Sequence, residues 1–386
     1  MSLRIPFTKI VHSPVKPELV LANGTDFLVI NSSTGEAVKS YPKDTDRKQT
    51  YSELHRSVAF SNDGSLLATS GEDKIIRVFD TKDWSSKLTR NAHKRANAIR
   101  FDKAASQILV ADKFGDVYSH PVAPSTSEEE KQMKPLVGHV SMVTDMILCN
   151  NEKYIVTSDR DEHIRVSRFP NGYTIESFCL GHTDVVTAVR QLPWSEEMLI
   201  SAGGDSTIRL WEFLKGTEVQ CLDIKEIIQK YTPAAADANS VEPMVSAVEL
   251  NPASKVVAIA FAKTPAVLLL KWNDDEKKLA VDTVLETENP VLDICFDNES
   301  KMWATLAAAQ EKDDLLAVFS PSEGSFKRLG ADDAVVKQSN AIETGLVETM
   351  PDLYTIFGLR KFLDLDQPDD NDRPASKNKK RKVPIC

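Results

Sequence analysis

The sequence predicts an all-β fold: a β-propeller of seven four-stranded blades, followed by a short C-terminal helix and a disordered basic tail. Two observations predict it. Strand-like runs recur along most of the chain at intervals of about 40–45 residues, the length of a four-stranded blade. One of the recurring units also carries four polar residues spaced to hydrogen-bond one another, and ring closure then leaves no exposed sheet edge between repeats.

The clearest unit is GHTDVVTAVRQLPWSEEMLISAGGDSTIRLWEF, residues 181–213. A Gly-His precedes a β run (VTAVRQL), a second run (MLISAGG) leads to Asp205, and a third ends in Trp211. This is the WD-repeat signature, in which His182, Ser201, Asp205 and Trp211 form a buried polar relay linking loop, second strand, turn and third strand. Residues 138–169 keep His139, Thr157 and Asp161 as the corresponding relay, with Ser167 in the tryptophan place. Residues 57–80 keep Thr69 and Asp73, with Phe79 in that place. Residues 96–122, 245–272 and 291–319 keep the strand rhythm alone, and 18–41 read as a degenerate first copy. First strands fall near residues 58, 98, 143, 186, 246 and 291. The one long interval holds residues 223–243, read as a short helix and loop inserted between blades. Seven blades thus use residues 1–330; six or eight stay open, because the terminal repeats are the faintest.

Residues 331–366 form an extension. Within it PDLYTIFGLRKFLDLD (351–366) places Leu353, Phe357 and Arg360/Lys361 at helical intervals, a helix expected to dock on the ring. Residues 367–386 are polar and proline-containing and read as disordered. Their cluster Lys377, Lys379, Lys380, Arg381 and Lys382 has the form of a nuclear-localisation signal, the alternative being a solvated tail.

Composition narrows the function. Hydrophobic residues make up 41% of the chain, enough for a substantial core. No apolar run approaches the roughly 18–20 residues of a membrane span, and the first residues lack a basic-then-apolar leader. The five cysteines (Cys149, Cys179, Cys221, Cys295, Cys386) show no CxxC spacing, and four lie in strand-like runs. They read as reduced, mostly buried thiols of an intracellular protein rather than metal ligands. A net charge of −10 argues against a chain that grips nucleic acid over its whole surface. There is no glycine-rich phosphate loop, GxSxG elbow or HExxH, and the relay accounts for His139 and His182. The expectation is a non-catalytic binding protein without a cofactor or metal.

Some charged residues are not needed by the repeat. DRDEHIR (159–165) gathers Arg160, Glu162, His163 and Arg165, and Lys113 occupies the matching region of the preceding blade. Arg77 and Arg209 share the strand position of Arg165, so arginine there is also a feature of the repeat. The stretch TRNAHKRANAIR supplies Arg90, His93, Lys94, Arg95 and Arg100. It reads either as a solvated loop or as an RNA-contacting surface, with Lys94 and Arg95 the candidate contacts.

The strings ILVADKFGDVYS, TSDRDEHIRVS and SFCLGHTDVV resemble the blades of the non-catalytic WD-repeat subunit of eukaryotic tRNA (guanine-N7)-methyltransferase, the Wuho family. The resemblance is tight over roughly residues 105–215, and the basic tail also fits. It implies a scaffold that binds a separate catalytic subunit and supports methylation of the guanine at position 46 of tRNA. S-adenosylmethionine and the catalytic residues would belong to that partner, and tRNA would be met through the complex. It further implies that DRDEHIR supplies the partner interface. Arg165 would pair with an acidic residue of the enzyme, with Glu162, His163, Arg160 and Lys113 nearby. The basic tail fits a nuclear, possibly also cytoplasmic, protein. The alternative is a WD-repeat adaptor of another class, such as a ubiquitin-ligase substrate receptor or chromatin scaffold.

Overall fold

The computed structural model describes residues 3–24, 26–40, 54–124, 132–233, 242–307, 310, 312–344, 346–347, 350 and 352–360. Seven four-stranded antiparallel sheets follow one another in chain order, and each is built from one contiguous stretch. Their innermost strands are Lys9–His12, His55–Phe60, Ala96–Phe101, Val143–Cys149, Val186–Leu192, Val245–Asn251 and Val291–Phe296. Blade 1 therefore starts at Lys9, upstream of the degenerate copy at 18–41. Its first strand is only four residues long, too short for its alternation to stand out from the flanking chain.

The sequence pattern within a blade follows from what each strand faces. Second strands such as Val256–Phe261 are buried along their whole length, because neighbouring blades cover both faces. They read as continuous apolar runs. Outermost strands such as Ser86–Asn91 and Thr217–Asp223 are largely exposed and polar. Apolar side chains meet between blades in seven clusters, one at each interface. The one that closes the ring packs Phe7, Ile10, Leu19 and Leu21 of blade 1 against Trp303, Leu316 and Val318 of blade 7.

The innermost strands also pass hydrogen bonds from blade to blade. At the second position of the strand, Asn97 Nδ2 donates to Val143 O (2.7 Å) and Thr187 Oγ1 to Val245 O (2.8 Å). Thr144 bonds Val186 O in the same way. At the third position, an acceptor takes the N–H of the next blade: Ser57 from Ile99 (3.0 Å), Asp145 from Val189 (3.2 Å) and Asp293 from Ile10 (3.1 Å). The last of these spans the junction between the final and first blades. Charged groups on the same strands line a central channel of about 640 Å³. There Asp145 pairs with both Arg100 and Arg190, and Arg190 reaches on to Glu249. Burial opposes ionisation of Asp145, but the Arg190 and Arg100 guanidinium groups outweigh it and hold the carboxyl below its usual range.

Between blades 5 and 6 the insertion forms a short helix, α1 (Lys225–Gln229). After blade 7 the chain forms α2 (Ala334–Asn340), which the sequence pattern missed. Asp333 caps it by accepting the N–H of Val335 (2.9 Å), and Val336 enters the closing cluster. Leu346–Val347 then pairs antiparallel with Leu3–Arg4, tying the C-terminal extension to the chain's beginning. The helix expected over 351–366 is, within the described residues, a single 3-10 turn, Thr355–Leu359, lying on the ring. Residues 361–366 and the basic cluster at 377–382 lie outside the described residues.

Replacing Asp145 by alanine leaves Arg100 without its carboxylate and removes one of the two partners of Arg190. The expected loss is about 3–5 kcal/mol. Asp293→Ala removes one interblade bond and the more exposed Lys9 pair (3.5 Å), an expected loss of about 1–3 kcal/mol. Equal losses in denaturant titrations would contradict this ranking.

Candidate partner-binding face

The loops that lead into each blade and the turns between its second and third strands share one face of the ring. In blade 5 the relay is complete. His182 Nδ1–H donates to Asp205 Oδ2 (2.8 Å), Ser201 Oγ–H donates to His182 Nε2 (2.7 Å), and Trp211 Nε1–H donates to Ser201 Oγ (2.8 Å). Each buried polar atom has a partner, and the carboxylate at Nδ1 fixes the imidazole tautomer. Burial works against the Asp205 charge, but the bonds from His182, Thr207 and Thr183 prevail and bring it down to about 2.

Blade 4 corrects the sequence reading. His139 donates from Nδ1 to Asp159 Oδ2 (2.9 Å), not to Asp161, and its Nε2 accepts from Thr157 Oγ1 (2.6 Å). Asp159 ends the second strand and is buried, so its carboxylate reaches the imidazole from the strand itself. Its Oδ1 also takes the N–H of Asp161 and His163 (2.8 and 3.0 Å), which shapes the turn. Blade 5 has Gly203 at the matching place, so there the carboxylate must come two residues later. Asp161 instead accepts from Ser141 Oγ (2.8 Å). A strand ending in Ser-Asp before a turn was the available signal for Asp159.

The basic stretch 90–100 does not form one surface. Arg90 is buried and donates to the carbonyls of Pro121 and Ala123 (2.8 and 3.1 Å), while Arg100 lines the channel. Arg95 pairs with Glu72 (3.3 Å), which also holds Arg56. The three arginines belong to different elements: Arg90 to the outermost strand of blade 2, Arg95 to the loop entering blade 3 and Arg100 to its innermost strand. Lys94 stays on the outer face, its Nζ 4.8 Å from the Phe114 ring centroid, with Lys113 Nζ at 5.3 Å from the same ring.

Arg165, Phe114 and the neighbouring loops make an exposed surface on blades 3 to 5. Phe114 is 58% exposed in the blade 3 turn, Val140 is fully exposed in the loop entering blade 4, and Leu180 is 61% exposed in the loop entering blade 5. Phe178, on the outermost strand of blade 4, is exposed and lies directly across from Arg165 in the ladder. The turn after Phe114 packs on the Val140 loop so closely that a Cβ at Gly115 (φ +103°) would come within 2.5 Å of Ser141 O. His163 stands half-exposed beside Asp159, its Nδ1 at 3.4 Å, and Glu162 takes the left-handed position of the turn (φ 75°). Arg160 faces the other way and holds the C-terminal extension. Sequence reasoning missed Phe114, Val140, Phe178 and Leu180. Val140 and Leu180 flank the two Gly-His pairs, and an apolar side chain at such a loop position has no packing duty there.

The half-buried Arg165 differs from its counterparts. Arg77 pairs with Asp73, and Arg209 with Glu218 and, at 3.9 Å, with Asp205. Among the described residues Arg165 donates only to neutral groups: Ser167 Oγ (2.9 Å), Gly138 O (2.9 Å) and Gly172 O (2.8 Å). Burial alone lowers its pKa, with no carboxylate to offset it. The repeat thus supplies arginine in three blades and neutralises it in two. Among the described residues no cluster of His, Cys, Asp and Glu could hold a metal ion.

A closed seven-bladed ring with this polar relay is a WD40 propeller. The chain belongs to the family of the tRNA methyltransferase TRM82 WD40 domain, whose model it matches over residues 28–135 and 127–320. A human relative, the tRNA (guanine-N(7)-)-methyltransferase non-catalytic subunit WDR4, is 32% identical over 63% of this chain and 57% of its own length. The zebrafish (Danio rerio) protein of that name is 30% identical over 82% of this chain and 72% of its own. The non-catalytic subunit TRM82 of Candida glabrata is 27% identical over 81% and 79%. The match spans 57%, 62% and 53% of the human, bovine and mouse relatives. Among solved structures, U3-55K superposes with a TM-score of 0.65 at 17% identity, over 81% of this chain and 93% of that one. The RRP9 WD40 repeats superpose with a TM-score of 0.64 at 17% identity, over 81% and 92%. These two share the fold.

Asp205→Ala and Asp159→Ala should each cost about 1–3 kcal/mol, since each strands a buried histidine, and Asp161→Ala should cost less. The depressed Asp205 pKa makes its contribution fully present above the ordinary carboxylate value of 3.8 and lost as pH falls towards 2. Thermal melts of the three variants at pH 7 check the ranking, and an Asp161 loss equal to that of Asp159 would refute the assignment.

Proposed function

We propose that this chain is the non-catalytic subunit of a tRNA (guanine-N7)-methyltransferase and that it holds the separate catalytic subunit on the face formed by blades 3 to 5. One observation carries the choice of face: Arg165 is a half-buried guanidinium without a carboxylate partner among the described residues, where the same position in two other blades has one. An acidic side chain brought by a partner would supply the missing charge, with bidentate geometry open to it. Phe114, Val140, Phe178 and Leu180 would bury against the same partner, and Lys94, Lys113 and His163 would border the contact. Arg160 shapes the turn from behind rather than touching the partner.

In this reading the propeller performs no bond-making step. It presents a rigid surface, and the partner carries S-adenosylmethionine and the catalytic groups that form N7-methylguanosine in tRNA. The names of the family relatives support the division of labour. The acidic net charge of −10 also suits it, because phosphate contacts would then fall mainly to the enzyme. The Lys377–Lys382 cluster would direct the chain to the nucleus.

Arg165→Glu should weaken binding of the co-expressed catalytic subunit by roughly 30-fold to several thousandfold, equivalent to about 2–5 kcal/mol, with the propeller still folded though less stable for the loss of three hydrogen bonds. Arg77→Glu and Arg209→Glu are the controls. Equal weakening by all three in calorimetric titrations would make Arg165 a repeat residue only and move the interface elsewhere. Deleting residues 367–386 should leave partner binding intact and reduce nuclear accumulation of a fluorescent fusion. Unchanged nuclear signal would remove the import role.

A further inference from the structure

The C-terminal segment Asp352–Arg360 lies across the channel mouth on the same face as the relay loops. Its contacts differ from those of every blade, because none belongs to a β-ladder. Arg160 Nε donates to Leu359 O (2.7 Å) and its Nη2 to Arg360 O (3.3 Å), while Arg56 reaches the Thr355 hydroxyl. Leu353, Tyr354, Ile356 and Leu359 roof a cavity of about 240 Å³ over the channel. Burial, and secondarily the Asp352 charge, push the Tyr354 hydroxyl up to about 12. Lys263 of blade 6 stands 5.1 Å from the Phe357 ring centroid.

The segment ends in the most specific contact of all. Arg360 Nη2 donates to Gly204 O (2.6 Å) and Glu242 O (3.2 Å), and its Nε lies 3.0 Å from Asp184 Oδ2. Gly204 makes room for this, since a Cβ there would sit 2.6 Å from Asp184 Oδ2. Two carbonyls on Nη2 and the Asp184 charge beside Nε favour a spread, planar guanidinium over lysine, whose ammonium is a compact point charge.

We propose that the channel mouth is a linear-peptide binding site read through an arginine, and that the chain fills it in cis with its own Asp352–Arg360 segment. Anchors on blades 2, 4, 5 and 6 are bridged by nine residues, through side-chain tips and main-chain carbonyls, as a receptor holds a peptide. Arg160 belongs to the turn that leads into the strand of Arg165, so occupancy of the mouth also steadies that turn.

The test uses the full-length chain and a fluorescein-labelled peptide of sequence DLYTIFGLR, with binding read by fluorescence anisotropy. The wild-type chain should not take up the peptide at concentrations up to about 100 μM, because its own segment holds the site. The double variant Ile356→Asp/Arg360→Ala, whose own segment is unseated, should bind it with a Kd of about 1–50 μM. A peptide ending in lysine should bind that variant at least about tenfold more weakly, and adding Asp184→Ala should abolish binding. Equal binding to wild type and double variant overturns occupancy in cis, and equal binding of the lysine peptide overturns arginine reading. Absence of binding to a folded double variant overturns the site itself. Should the double variant fail to fold, Asp184→Asn in the otherwise unchanged chain is the second arm. There, amide exchange in residues 352–360 should accelerate about tenfold while blade amides keep their rates, and unchanged exchange in the segment overturns the proposal.

Discussion

The ring stands on hydrogen bonds that its innermost strands pass from one blade to the next. A four-stranded sheet buried on both faces has nothing in its own ladder to fix its position relative to its neighbour; apolar packing supplies attraction without direction. The bonds from Asn97, Thr144 and Thr187 to the next blade's carbonyl supply direction, as do the bonds that Ser57, Asp145 and Asp293 accept from its N–H. The Asp293–Ile10 bond completes the circle without a strand exchanged between the chain's two ends. With the inner strands held, each blade presents its loops on one face at a fixed angle. The relay then sets the shape of individual loops, through His139–Asp159 in blade 4 and His182–Asp205 in blade 5.

Much of this architecture was legible in the amino-acid order, because repetition magnifies weak signals. Alternating apolar residues at a fixed interval, together with Gly-His and Trp211, give the strands of blades 2 to 7 and the complete relay of blade 5. The remainder depends on relations that a linear pattern does not express. Lys9–His12 is too short to show alternation, and α2 is an amphipathic helix of only two turns whose single deeply buried apolar residue is Val336. Asp161 aligns with Asp205, yet Asp159 bonds His139, because a carboxylate at the strand end meets the imidazole before one two residues on. Which arginine lacks a counter-charge depends on neighbours distant in sequence, so Arg165 looked like Arg77 and Arg209 until the ladder was assembled.

The candidate face was half visible for a similar reason. DRDEHIR and Lys113 drew attention as charges that the repeat does not need; His163, Arg165 and Lys113 stand at the exposed surface, while Arg160 turns to the C-terminal segment. Its apolar part was hidden in plain strings: Phe178 sits in a run that reads as core, and Val140 and Leu180 adjoin a Gly-His that already had an explanation. In the folded chain these side chains lie on the same blades as a guanidinium that has no carboxylate partner among the described residues; a partner docking as proposed would desolvate its ion pair there and bury the apolar rim. Basic residues adjacent in sequence, by contrast, scatter in space. Arg90, Arg95 and Arg100 point respectively into packing, into an ion pair and into the channel.

Each blade is made from one uninterrupted stretch of chain, and this bears on how the protein comes into being. As the polypeptide leaves the ribosome, every blade can pair its four strands from residues already synthesised, through loops that are short except for 122–136 in blade 3 and 307–315 in blade 7. Blade 2 can settle on blade 1 while blade 5 is still being translated, so the nascent arc grows in one direction with two apolar flanks uncovered, that of its newest blade and that of blade 1. The flank of blade 1, with Phe7, Leu19 and Leu21, waits longest for its partner, because Trp303 and Val318 emerge only with the final blade. Vectorial assembly therefore concentrates the hazard of misassociation on one early surface, and chaperone demand should fall sharply once blade 7 has left the exit tunnel.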